Sequence, residues 1–253
     1  MTAAPKHPAG RACGAGAPRN PFGLERHAAG VLPFVFAPGQ SPSERLGRLV
    51  ELGGQAQVLG AEGTGKTTLL HVLSRAARAR GEVLLEVRAD RTDPRAVLRQ
   101  LLPIAGAERP LTPSPNDGRA APLVPTLICL DEADAWTRWQ VGRLRRACRA
   151  RRVRLLAATH RDLGLPTLLH CTVSDDLAVH VASTLLAAAL PSDRLVAPER
   201  AREALRARGG NLREALLLLY DWHETAWADA RGVTPRPHPR CDREITPSPR
   251  RAG

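Results

Sequence analysis

The stretch that most constrains this chain is Gly60-Ala61-Glu62-Gly63-Thr64-Gly65-Lys66-Thr67, an unbroken G-x-x-x-x-G-K-[ST] pattern. In such a run the glycines let backbone N–H groups wrap a pyrophosphate, the lysine reaches the outer phosphates and the following hydroxyl ligates Mg²⁺. Lys66 and Thr67 hold those last two places. The pattern needs a buried strand before it and, after it, a helix whose N-terminus faces the anion. Ala56, Val58 and Leu59 supply the apolar run upstream, and Leu69, Leu70, Val72, Leu73, Ala76 and Ala77 recur at helical spacing downstream. The expectation is an α/β domain that holds a nucleoside triphosphate.

Arginine usage sharpens this. Of 37 basic residues only Lys6 and Lys66 are lysines, so the compact ammonium stands where a phosphate needs a point charge and not a planar fork. The net charge of +12 and a pI near 11 suggest an acidic partner such as DNA. Because the arginine bias runs over the whole chain, charge by itself is weak support for that partner. Five cysteines without a C-x-x-C imply neither a disulfide framework nor a zinc site. Cys129 and Cys171 lie in apolar runs and are expected to be small core residues. No stretch approaches 18 uninterrupted apolar residues and no signal-peptide core opens the chain, so a cytoplasmic protein without a membrane partner is expected.

With 253 residues there is room for one α/β domain and a small accessory unit. Aromatic residues make up only 3%, so the core must be aliphatic. Residues 1–19 are expected to be a disordered tail, 20–173 the phosphate-loop domain, 174–228 a helical lid and 229–253 a disordered Pro/Arg-rich tail. All three phenylalanines, Phe22, Phe34 and Phe36, precede the loop, either bordering a nucleotide base or packing on the domain. Ser41 to Leu52 predicts an amphipathic helix with Ser43 as a cap, Val83–Val87 a second strand, and Asp93-Pro94 the start of a helix through Leu102. Residues 107–125 carry five prolines and predict a loop.

Leu127-Ile128-Cys129-Leu130-Asp131-Glu132 is an apolar strand ending in two acids. At the carboxyl end of a strand beside the phosphate loop, Asp131 would hold Mg²⁺ and Glu132 would polarise an attacking water. The plainer reading is an acidic N-cap for the next helix. That helix, expected over 135–149, puts Trp139, Val141, Leu144, Ala147 and Cys148 on an apolar side. Arg138, Arg143, Arg145, Arg146 and Arg149 crowd the others, as a solvated face or a track for a phosphate backbone. Val153–Ala158 predicts a fourth strand leading to Thr159, whose hydroxyl falls where it could meet a terminal phosphate or lytic water. His170–Val173 predicts a fifth, weak strand.

Gly209-Gly210-Asn211-Leu212-Arg213-Glu214-Ala215-Leu216 predicts a helix stop, an Asn211 cap and a capping-box-like partner in Glu214. Arg213 then sits in a first turn, where the helix dipole disfavours a cation. Either a bound triphosphate or an ion pair with Asp221 or Glu214 would account for it.

These motifs together resemble the AAA+ and related ASCE-class P-loop ATPases, and the G-N-L-R-E-A-L lid is similar to those of origin-recognition, clamp-loader and transposition-accessory ATPases. The resemblance spans roughly residues 20–227. It implies Walker A at Gly60 to Thr68, Walker B at Asp131 and Glu132, sensor 1 at Thr159 and sensor 2 at Arg213. The implied fold is a three-layer α/β sandwich with a mainly parallel sheet and an all-helical lid, with ATP and Mg²⁺ as ligands. One departure stands out: residues 162–193 contain no Arg or Lys. Only Arg161 could serve as the arginine that completes a neighbour's site in a ring, which favours a slow, monomeric or partner-activated switch. A non-catalytic ATP-binding adaptor and a small-molecule kinase are the alternatives.

Overall fold

The computed structural model describes residues 20–23, 31–37, 39–101 and 125–232. The expected tail at 1–19, the part of the expected 229–253 tail beyond 232, and all but the last residue of the proline-rich loop at 107–125 lie outside these residues, whereas 229–231 are helical and not tail.

Five strands form one parallel sheet: β1 (Gln55–Gly60), β2 (Leu84–Arg88), β3 (Leu127–Asp131), β4 (Arg154–Thr159) and β5 (Thr167–Cys171), ordered β2-β3-β4-β1-β5. The helices are α1 (Pro42–Glu51), α2 (Lys66–Ala79), α3 (Pro94–Leu101), α4 (Arg138–Arg151), α5 (Asp175–Ala187), α6 (Arg200–Ala207) and α7 (Leu212–Arg231). Successive strand residues point to opposite faces, and the buried side chains sort accordingly. Ile128, Leu130, Leu155 and Ala157 pack with α3 and α4. Leu127, Cys129, Leu156 and Ala158 pack with α1 and α2. The result is a three-layer α/β sandwich.

β1 shows why a central strand need not be wholly apolar. Ala56 and Val58 face α1 and α2, whereas the buried Gln55 and Gln57 point the other way and both hydrogen-bond. Gln55 donates to Arg145 O (2.9 Å); Gln57 donates to Asp162 Oδ1 (2.7 Å) and accepts from the Leu163 N–H (2.9 Å). The two amides tie the strand to α4 and to the turn after β4.

The third core belongs to the helical C-terminal unit, where α5, α6 and α7 bury Ala178, Ala182, Ala204, Leu216 and Leu219 around Phe22. Phe22 is thus a core residue of this unit and not of the sheet. Phe34 and Phe36 stack edge to face at 4.9 Å and pack on the α1–α2 side. No helix among the described residues is long and apolar enough to cross a membrane.

Several boundaries move. Ser41, not Ser43, caps α1, because Pro42 takes the first helical position and leaves Ser41 Oγ to accept from the Glu44 N–H (3.2 Å). α4 begins at Arg138 and not near Ala135, since Thr137 and Gln140 form a reciprocal capping box. Trp139 is 64% exposed and off the apolar side on which periodicity put it; Trp136 is the buried indole, donating to Ala89 O (3.0 Å). β5 covers Thr167–Cys171, where its backbone meets β1, and stops short of Thr172-Val173. α7 runs on to Arg231, three residues past the expected lid end.

Candidate nucleotide site

Ligands of open parallel sheets bind beyond the carboxyl ends of the strands, and the candidate residues converge there, at the ends of β1, β3 and β4. The loop from Gly60 to Gly65 leaves β1, with Gly63 and Gly65 at φ of +69° and +91°. Gly65 is the N-cap of α2 and has no side chain with which to cap it. The N–H groups of Lys66, Thr67 and Thr68 in the first turn are left without intrahelical carbonyls. Ala61 O accepts from Thr64 Oγ1 (2.8 Å), which braces the loop from inside, and Glu62 is exposed at its tip.

The Lys66 ammonium is buried and all three of its protons have acceptors: Gly60 O (3.0 Å), Ala61 O (2.8 Å) and His160 Nδ1 (3.1 Å). Burial holds it below the usual lysine value, with the Glu132 carboxylate offsetting part of that shift. Because an ammonium only donates, His160 accepts at Nδ1, so a neutral ring carries its proton on Nε2. That nitrogen lies 3.8 Å from Glu132 Oε2.

Thr67 Oγ1 donates to Asp131, 3.0 Å from Oδ2 and 3.2 Å from Oδ1. A hydroxyl against a carboxylate is a hard oxygen pair of the kind Mg²⁺ uses beside phosphate oxygens and water. Among the described residues there is no cluster of three or more His, Cys, Asp or Glu suited to a metal. A metal here would therefore draw its remaining ligands from phosphate and water. Glu132 itself has φ +53°, a conformation uncommon outside glycine, and makes no side-chain cap for the 3-10 turn that follows. The strained backbone turns its carboxylate toward His160 and away from capping work.

Asp134 belongs to no spaced motif in the sequence. It clamps the turn after β4, accepting from Thr159 Oγ1 (2.9 Å), the His160 N–H (2.6 Å) and the Arg161 N–H (3.3 Å). Thr159 is wholly buried and its hydroxyl also meets Arg161 O (2.7 Å). The side chain this turn presents to Lys66 and Glu132 is that of His160. Arg161 folds back on the same clamp, 3.4 Å from Asp134 Oδ1 and bonded to Trp136 O (3.1 Å).

The lid reaches the loop directly. A methyl group on Gly63 would lie 1.8 Å from Asn211 Oδ1 and 3.2 Å from the Arg213 backbone nitrogen. Asn211 caps α7 through the Glu214 N–H (3.1 Å), as expected, but the reciprocal half of a box is absent because its own N–H bonds Arg208 O (3.1 Å). Arg213 is exposed, and among the described residues it pairs with neither Asp221 nor Glu214.

Sheet, loop and cap define a P-loop NTPase three-layer fold with a C-terminal helical lid. No protein-family model and no curated protein matches the chain. Among solved structures it is similar to the replication initiator DnaA bound to AMPPCP and single-stranded DNA, at 13% identity and a TM-score of 0.48 over 85% of this chain and 69% of that one. It is similar also to AMPPCP-bound DnaA from Aquifex aeolicus, with 15% identity, a TM-score of 0.46 and 85% and 67% coverage. For domain III of Thermotoga maritima DnaA the values are 13%, 0.42, and 83% and 100%.

Proposed function

We propose that this chain is an AAA+-like ATPase that binds ATP with Mg²⁺, hydrolyses it slowly and uses the change in nucleotide to move its lid, acting on a protein or nucleic-acid partner in the cytoplasm. The observation that carries the reading is the convergence of Lys66, the Thr67–Asp131 pair and Glu132 at the ends of β1 and β3. Gly60 to Thr68 would cradle the phosphates, Thr67 and Asp131 would hold the metal, and the domain would run over 20–173 with its lid following. Bound Mg²⁺ would neutralise charge developing on the phosphate oxygens.

The remaining work falls to the chain's own side chains. Lys66 exchanges Gly60 O, Ala61 O and His160 for phosphate oxygens, because anionic acceptors form stronger, charge-assisted bonds than carbonyls. Glu132 then takes a proton from water. Released from Lys66, His160 orients that carboxylate through Nε2, and Thr159 acts by holding the His160 turn through Asp134. Arg213, at the edge of the lid that touches Gly63, donates to the terminal phosphate. Arg161 is already engaged by Asp134 in its own chain, which supports a switch over a ring completed by a neighbour's arginine. A lid made of one C-terminal helical unit argues against a small-molecule kinase.

Phosphate release by wild type and Glu132→Gln, with and without DNA, tests the reading. Slow release by wild type, lowered ~10²–10⁴-fold in the variant, is expected. ATP binding with no release under any condition would make the chain a non-catalytic adaptor.

A further inference from the structure

The surface of α4 opposite the sheet combines features that the nucleotide site does not use. Trp139 is 64% exposed, with the Arg143 guanidinium 4.8 Å from its ring centre. Trp139 and Arg143 share with Leu98, Leu101, Ala147, Ala150, Arg146 and Arg151 the lining of a groove of about 480 Å³ between α3 and α4. A side chain added at Gly142 would meet nothing within 4 Å among the described residues.

Elsewhere some arginines pair with an acid, as Arg48, Arg88, Arg200 and Arg202 do, and others, such as Arg75, Arg99 and Arg213, have no carboxylate partner among the described residues. On α4, Arg143, Arg145, Arg146, Arg149 and Arg151 have no carboxylate partner among the described residues, and the helix contains no acid. The helix dipole favours cations in the last turn, which accounts for Arg149 and Arg151 but not for the three farther back. What sets α4 apart is that five such arginines share one helix with an exposed indole.

We propose that the α3–α4 face binds single-stranded nucleic acid, with phosphates on Arg143, Arg146 and Arg151 and a base stacked on Trp139. A duplex would satisfy the arginines but keeps its bases paired, leaving the indole without a role, whereas a single strand offers both groups. An acidic peptide would likewise leave the ring and the apolar groove unexplained. The proposal goes beyond the ATPase reading and is independent of it, because none of these residues lies in the nucleotide site.

The test is fluorescence anisotropy of the full chain, without nucleotide and at low salt, using labelled oligothymidylate, the same length of abasic backbone, a duplex, and polyglutamate. Oligothymidylate should bind tightest. Trp139→Ala should weaken it roughly 10-fold while leaving the abasic strand unchanged, and Trp139→Phe should retain most of the affinity. Arg146→Ala should weaken both strands and flatten the salt slope by about 0.7. Both positions are exposed, and unchanged thermal unfolding verifies that the variants fold. Oligouridylate distinguishes RNA from DNA as the source of the strand. Absence of a complex, equal binding of abasic and base-bearing strands, preference for the duplex, or tighter binding of polyglutamate would each overturn the proposal.

Discussion

At the scale of single residues, the site depends on where protons and charges reside. Lys66 is held below its ordinary value of 10.5 by burial, so in a window under that value the folded lysine releases its proton while the unfolded one retains it. The unfolded state then binds more protons, and stability rises with pH across the window. ATP affinity should move the opposite way, since a neutral amine no longer attracts phosphate. Titrating both quantities against Lys66→Met should show the two opposed trends in wild type alone; parallel trends would mean Lys66 is not the group responsible. His160 is the second residue to probe. His160→Ala should lower turnover while leaving ATP affinity within a few-fold, because the ring meets Glu132 rather than replacing a phosphate ligand. A large loss of ATP affinity with turnover unchanged at saturating ATP would make the ring a phosphate contact. Lys66, Thr67, Asp131 and Glu132 were legible in the sequence because each belongs to a spaced motif. His160 and Asp134 were not, since their meeting depends on how the turn after β4 folds against the end of β3.

Among the elements, the informative contact is α7 against the phosphate loop. Gly63 combines a positive φ with Asn211 against its α-carbon, so an alanine there is strained and collides with the cap. Gly63→Ala should cost about 1–3 kcal/mol and separate lid from loop, seen as faster proteolysis of α7. Arg213→Ala should leave the apo protein as stable or slightly more so, since a cation in a first turn opposes the dipole by roughly 0.3–1 kcal/mol. It should weaken ATP more than ADP. Equal losses for the two would put the guanidinium away from the terminal phosphate. Helix and strand order followed from apolar spacing and turn residues, so most elements were predictable. The misplaced ends share one cause: Ser41, Thr137 and the β1–β5 pairing set boundaries through hydrogen bonds that periodicity does not encode.

For the whole molecule, the described residues ahead of α1 pack on both units. Asn20, buried, donates to Glu224 Oε1 (2.8 Å) and Tyr220 O (3.1 Å) on α7 and accepts from the Phe22 N–H (3.0 Å), while Phe34 and Phe36 pack on the sheet domain. Their aromatic content hinted at packing, but the assignment of Phe22 to the lid and Phe34 to the sheet needed the tertiary arrangement. Asn20→Ala would leave a mostly buried carboxylate with fewer partners, at a cost of about 1–3 kcal/mol, and calorimetry should show Tm lower by several degrees. An unchanged Tm would make the tie incidental. Above all these stands the claim that the ends of β1 and β3 form a triphosphate site. Titration calorimetry of MgATP into wild type and Lys66→Ala tests it most directly. Saturable binding to wild type is expected, and none to a variant that unfolds like wild type; equal affinity for the two proteins would mean that Lys66 holds no phosphate.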